Sequence, residues 1–394
     1  GELSETDNII SPREAYLSWR SPVGQLQTGL QTSHWGLGIL ANDGAFHSEK
    51  LFNQHYGGDR VFRALFATAP LRPFSQTGFA RDFIVALGGD LVWRDENADY
   101  SAGDRAWQGV LAALYDGEKT TGGTYFVYRD QEDRDGDYLR AFAFDLFADL
   151  EWAPTDDWHL GAAAETALLI GETNRTLSQL DGEAVDVVGL GAAGEFEARW
   201  KPAHTSLHLL AGYASGDANT DDSTLYRFRF DPNYQVGLVL FDHYLPAATR
   251  ANHRRVLDPS RVATPPKGAE SLINTGSIEN AYYLNPQLRF GDEDGLLSGI
   301  GLLWAWSEQP LADPYNTFES GGAPTGLLGR QPASRNLGWE VDAAVHYRLA
   351  PVEPLTVEFK AEYGILFPGE AFEDAAGNKD GPQSVVRGRI GILW

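Results

Sequence analysis

Three kinds of stretch in this chain carry residue types that could do chemistry, and each fails on spacing. The run GLGAAG at 189–194 has the glycine spacing of a dinucleotide-binding turn. It continues, however, into the alternating EFEARW rather than into a helix whose N-terminus could hold a phosphate, so it reads as a strand that needs small residues. DQEDRDGD (130–137) and GDANTDDS (216–223) have the acidic density of calcium loops. The first puts Gln131 at the leading ligand position and Phe142 where the bidentate glutamate belongs, and the second lacks the turn glycine, so no metal site is assigned. Ser33 beside His34, and His47 beside Ser48, raise the possibility of a hydrolase. Adjacent strand residues point to opposite faces, so neither pair makes a nucleophile-base contact. No catalytic residue is assigned, and no cofactor.

What remains is electrostatic chemistry. Asp145, Asp149, Glu165, Glu195 and Glu197 gather in the middle of the chain, and Arg20, Arg63, Arg348, Arg387 and Arg389 near its two ends. Most of them have apolar or small neighbours one residue away on either side. Whether such charges can act together depends on the elements that carry them.

Those elements are strands. Trp339, Val341, Ala343, Val345, Tyr347 and Leu349, preceded by Leu337, alternate with Gly338, Glu340, Asp342, Ala344, His346 and Arg348, so that one face is apolar and the other ionic. After the turn 350–354 the pattern resumes, Leu355, Val357, Phe359, Ala361, Tyr363 and Ile365 set against Thr356, Glu358, Lys360, Glu362 and Gly364. Similar segments lie near 13–20, 25–35, 59–69, 83–94, 106–115, 123–130, 138–152, 158–171, 185–200, 205–214, 279–290, 297–307 and 384–394. The prediction is about fifteen recognisable strands in one domain spanning 1–394, with no linker composition to divide it.

A soluble sandwich also alternates, but three features select a transmembrane antiparallel up-and-down β-barrel. The segments are often longer than the strand of about 5 or 6 residues usual in soluble sheets. Tight connections (21–24, 154–157, 201–204, 291–295, 350–354) succeed long polar ones (36–58, 94–105, 171–184, 215–278, 308–335, 367–383), as periplasmic turns succeed extracellular loops. The tryptophans sort into two girdles: Trp19, Trp152, Trp158, Trp200 and Trp394 by the tight turns or chain end, and Trp35, Trp93, Trp107, Trp304, Trp306 and Trp339 by the long loops. No run approaches the roughly 18 apolar residues of a spanning helix.

Composition adds exclusions. The net charge of -24 lacks the basic footprint that nucleic acid requires. With no cysteine, disulfide frameworks and thiolate metal sites are ruled out, and an oxidising compartment is compatible. Gly1 is not an initiator, which fits a removed signal peptide. Methionine is also absent; nothing physical in the sequence accounts for it.

The last strand ends in VVRGRIGILW (385–394), with Val386, Gly388, Ile390, Ile392 and Trp394 on one face and Arg387 and Arg389 on the other. This resembles the C-terminal signature of Gram-negative outer-membrane β-barrels. The resemblance implies a cell outer-membrane location, Trp394 as an assembly signal read by the barrel-assembly machinery, and outer-membrane lipid and lipopolysaccharide as partners. Divalent cations bridging the acidic loops to lipopolysaccharide phosphates are a further expected partner. SPVGQLQTGLQTSHWGLGILANDG (21–44) is similar to hairpins of alginate-exporter-type and uncharacterised myxobacterial barrel families, although Gln27 and Gln31 stand uncharged where the exporters tend to carry GRQ.

Bacterial single-chain barrels have even strand numbers. Fifteen segments therefore imply about sixteen strands, with 14 and 18 as neighbours, the extra one preceding Gly1 or formed imperfectly by residues 1–10. The longest loop, 215–278, holds LYRFRFDPNYQVGLVLFDHYL, too apolar to trail in water, and the basic RANHRRV. It is predicted to fold into or over the pore, offering Arg250, His253, Arg254 and Arg255 to an acidic wall built by the mid-chain carboxylates, opposite a basic wall near the closure. The expected function is passive diffusion of small polar solutes through a charged lumen; the alternative is a structural or export-complex barrel with a plugged lumen.

Overall fold

A computed structural model describes residues 12–45, 51–53, 57–175, 184–220, 222–265, 268, 272–292, 294–311, 313–319, 334–352, 355–374 and 376–393. Strands form where the side chains alternate. They are β1 (Ala15–Ser21), β2 (Gly24–Thr32), β3 (Arg60–Thr68), β4 (Phe83–Arg94), β5 (Arg105–Asp116), β6 (Thr120–Glu132), β7 (Tyr138–Thr155) and β8 (Trp158–Thr173). They continue with β9 (Val185–Trp200), β10 (Thr205–Ala214), β11 (Thr224–Leu225), β12 (Ala281–Gly291), β13 (Leu296–Ser307), β14 (Asn336–Val352), β15 (Leu355–Pro368) and β16 (Gln383–Leu393).

One 16-stranded sheet results. Each strand pairs antiparallel with the next, β10 passing directly to β12, and the two-residue β11 lies parallel to β9 outside this path. Fifteen strands thus form the wall, matching the segments expected from alternation; β11 is too short to carry a period. Among the described residues β1 and β16 pair on one side only, and with an odd number of wall strands they run in the same direction. The expected contribution of residues 1–10 falls outside the described residues, as does Trp394.

The pleat assigns the faces. On β14 Trp339, Val341, Val345 and Tyr347 are exposed, while Glu340, Asp342 and His346 are each 0% exposed. The sheet is inside out: apolar residues cover its outer surface and charged ones are enclosed, the reverse of a soluble sandwich. Leu337 departs from the alternation. It is buried among the interior residues, because the β13–β14 register slips between Ala305 and Trp306 and the bulge turns it inward.

The tryptophans follow the same rule. Trp19, Trp152, Trp158 and Trp200 lie exposed by the tight turns, and Trp107, Trp306 and Trp339 by the long loops; Trp158 and Trp200 are register partners that stack. Trp35 leaves the girdle. It turns inward to stack on Tyr125 and to donate its indole N–H to Asp145 Oδ1 at 2.8 Å. Two connections reverse the expected lengths: 69–82, on the tight-turn side, carries a short helix (Phe79–Asp82), and 133–137, on the other, is short.

Candidate functional site

The interior of the sheet is occupied by two loops. The longer one enters as Phe228, Phe230, Tyr234, Val236, Leu238, Val239, Leu240 and Phe241, all buried in one cluster with Ala167, Ala193, Tyr283, Leu303, Ala344 and Leu366 of β8, β9 and β12–β15. The small residues of GLGAAG make room for it: a Cβ on Gly191 would stand 2.3 Å from the Phe228 ring. Both the nucleotide-like glycines and the apolar loop are therefore parts of one contact.

Glu340 fixes the tip of this loop. Its carboxylate accepts the amides of Leu238, Val239 and Leu240 at 2.5, 2.8 and 2.7 Å. Gly237, at φ +74°, lets the chain pass, since a Cβ there would lie 2.8 Å from Glu340 Oε1. Arg387 of β16 adds a second tether, donating to Glu362 Oε2 at 3.0 Å and to Asp242 Oδ2 of the loop at 3.2 Å.

The other loop runs from β2 to β3 and crosses the lumen. Near β7 and β8 it is held by Trp35 on Asp145 and by the Gly38 amide on Glu165 Oε2 at 2.9 Å. Near β15 the Phe52 amide donates to Glu362 Oε1 at 3.0 Å, and Lys360 Nζ to Asn53 Oδ1 at 2.8 Å. Within this loop Asp43 is partly buried, which pushes its carboxyl up, but hydrogen bonds from His34 and the Ala45 amide and the charges of His34 and Arg13 outweigh this and hold it at about 2. Ser33 does not meet His34. Its hydroxyl accepts from Arg63 at 3.0 Å, and His47–Ser48 lies outside the described residues.

The two loops separate two water-accessible spaces. On the tight-turn side a cavity of about 240 Å³ is lined by Asp149, Glu195, Glu197, His159, Arg199 and Arg289 among others. On the long-loop side a cavity of about 400 Å³ is lined by Asp59, Glu96, Arg129, Arg175, Arg227 and Arg229 among others. At its edge Glu279 pairs with both Arg229 and Arg227. Burial alone would raise the Glu279 carboxyl, but those two guanidiniums hold it below the usual range.

The charges named from sequence all lie on the interior face or the loops, though not all as free walls. Asp145 and Glu165 hold the first loop, while Asp149, Glu195 and Glu197 line the inner cavity. Arg63 makes a bidentate pair with Asp90 at 2.8 and 2.7 Å, and Arg348 donates twice to the single oxygen Glu358 Oε1 at 2.9 and 2.6 Å. With Arg387 also paired, three of the five basic positions are neutralised locally. Arg20 and Arg389 stand exposed on β1 and β16.

The basic cluster lies on a helix, Leu245–Val256, whose Leu245, Thr249, Asn252 and Val256 make one buried stripe. Arg250 and Arg254 fall on the opposite, exposed side, and Arg255 lies over the Tyr315 ring at 4.3 Å. The loop enters the lumen with its apolar segment because that segment alone has surface to bury; the arginines stay with water.

Sequence reasoning missed the amide-holding role of Glu340 and the meeting of Asp59, Glu96 and Asp231. The only available signal was Asp231 itself, a carboxylate inside the most apolar stretch of a loop.

The antiparallel wall, with its apolar exterior and ionic interior, has the architecture of a transmembrane up-and-down β-barrel. Pseudomonas aeruginosa OccK5 (OpdH) is similar in fold, with a TM-score of 0.50 and 10% identity over 96% of this chain and 81% of its own. The corresponding values are 0.49, 12%, 96% and 80% for P. aeruginosa OccK11 (OpdR), and 0.46, 10%, 94% and 76% for its outer membrane protein OprD. At such identities the likeness concerns fold alone, and OccK5 carries it. No family model and no curated protein matches the chain.

Proposed function

We propose that the chain is a channel of the Gram-negative outer membrane, passing small polar solutes by passive diffusion between its two charged vestibules. The observation that carries this is the inversion of faces: Val341 meets the outside while Asp342 next to it is fully enclosed. A wall of that kind is stable only with hydrocarbon outside and polar groups or water within. Passage would follow the seam between the two inward loops, and the chain performs no catalytic step. Outer-membrane lipid and lipopolysaccharide are its surroundings on this proposal, and the barrel-assembly machinery inserts it.

The two loops also favour the second reading, a plugged structural or export-complex barrel, because the cluster around Phe228 and Leu238 fills much of the interior. Planar-bilayer recording of the purified protein separates the two. Steady single-channel steps that scale with salt support the channel; a silent membrane containing inserted, heat-modifiable protein supports the plug.

A further inference from the structure

Three loops meet on the rim of the larger cavity. Asp59 ends the loop from β2 to β3, Glu96 stands in the loop from β4 to β5, and Asp231 belongs to the apolar segment entering the lumen. One carboxylate oxygen from each lies within 4.8 Å of the other two. Among the described residues none of the three carboxylates has a cationic partner within ion-pair distance. The nearest guanidinium, Arg129, is committed to Asp95 at 2.5 Å and to Gln131 at 2.8 Å. Asp231 is 2% exposed; its Oδ1 accepts both amides of Asn233, at 2.7 and 2.9 Å. Its Oδ2 is buried with no hydrogen-bond partner. A buried carboxylate oxygen without a donor, beside two further carboxylates, is the kind of donor set that a cation satisfies.

We propose that Asp59, Glu96 and Asp231 bind a calcium ion that fastens the inward loop to the wall. Three carboxylate oxygens within 4.8 Å of one another can share one calcium ion, which takes carboxylates at about 2.4 Å in flexible geometry, whereas magnesium demands a near-ideal octahedron and keeps its waters. Three carboxylates oppose the two positive charges of the ion, and the adjoining cavity supplies water for the remaining positions. The backbone already converges on the site: the Asp231 amide donates to Ile39 O at 2.9 Å and the Asp59 amide to Asn42 O at 2.8 Å. The ion therefore joins both lumen-filling loops to the rim. The acidic loops Asp130–Asp137 and Gly216–Ser223 carry no comparable grouping among the described residues.

The inference rests on the porin-type fold but not on conduction, so its test uses binding. The full chain, refolded in detergent, stripped with EDTA and shown folded by heat-modifiable mobility, is titrated with calcium chloride by calorimetry at pH 7.5. One saturable site is expected, with magnesium binding weaker. Asp231→Asn should weaken calcium by about tenfold or more, because ligand charge sets affinity. Glu96→Gln should do the same, and since Glu96 is exposed that variant separates loss of a ligand from loss of folding. Absence of a saturable site in the wild type, or equal affinity in the wild type and Glu96→Gln, overturns the proposal whatever the conductance.

Discussion

Arg387 of the last strand lies between Glu362 of its neighbour and Asp242 of the longest loop, at 3.0 and 3.2 Å. The three side chains are only 14%, 5% and 6% exposed, so the wall and the loop share one enclosed charge. Arg387→Leu leaves two carboxylates enclosed without it. Removing one member of a buried ion pair costs about 3–5 kcal/mol, and here the loss should fall on the docking of the loop. Faster proteolysis within 215–278 of the folded protein is the expected outcome, with partial rescue on adding Asp242→Asn.

Glu340 offers a sharper probe of the same loop. Glu340→Ala deprives the buried amides of Leu238, Val239 and Leu240 of their acceptor, and each orphaned amide costs about 1–3 kcal/mol. The wall does not depend on those bonds. Amide exchange across 236–241 should accelerate while heat-modifiable mobility is retained; unchanged exchange would mean that apolar packing alone holds the loop.

The assignment of faces is tested by arginine on either side of the wall. Val341→Arg puts a charge in the hydrocarbon at a cost of about 2–4 kcal/mol. Ala344, the interior partner that β14 alone would suggest, is a poor control, because it is 4% exposed and packed against the inward loop. Ala163 serves better. It faces the inner cavity, with Asp149 and Glu195 as its register partners on the two adjacent strands, so Ala163→Arg should cost far less. Equal losses measured by urea titration in lipid would contradict the faces.

That contrast marks what the sequence made legible. Alternation along β14 and β15 identified the lipid face, and the sorting of Trp158, Trp200, Trp306 and Trp339 identified its two borders, because each depends on neighbours one or two residues away. The interior was not legible. That Gly191 is small to admit Phe228, or that Trp35 abandons the girdle for Asp145, depends on which loop crosses to which wall, and residues so far apart in the chain leave no periodic trace. The basic helix shows the limit most plainly: its composition pointed to a constriction, yet its buried stripe decides which way the arginines turn.

The carboxylate cluster at the rim gives stability a pH dependence of determinate sign. The charges of Asp95 and Asp231 push the exposed Glu96 carboxyl up. Burial with the charge of Asp95 pushes Asp231 to about 7, against the amides of Asn233 and Asn42, and Asp59 is raised by burial and by Asp231. A carboxyl raised on folding stabilises the fold fully below its unfolded value of about 4 and loses that contribution as pH climbs through the folded one. In EDTA the melting temperature should therefore fall as pH climbs from about 4 through about 7. Calcium should restore it at the alkaline end, where the ligands are ionised, and do little at pH 5. A melting temperature that rises with pH in EDTA would contradict the sign.

Ion selectivity follows from where the charges stand. The chain carries -24 overall, and the inner cavity is lined by Asp149, Glu195 and Glu197 beside Arg199 and Arg289, so cations should be favoured at low ionic strength, when long-range fields reach the mouth. Arg250 and Arg254 stand exposed on the helix Leu245–Val256 and Arg255 lies on Tyr315. At 0.1 M salt, with a Debye length of about 10 Å, replacing all three by alanine should raise the cation preference slightly and leave the conductance nearly unchanged. At 1 M, where that length is about 3 Å, even this should vanish. Glu195→Gln with Glu197→Gln should behave differently, because these groups border the water path and stay effective at close range: the cation preference should drop at both salt concentrations. A large conductance gain in the arginine variant would put the basic helix at the narrowest point after all, and anion preference of the wild type at low salt would remove the acidic vestibule from control.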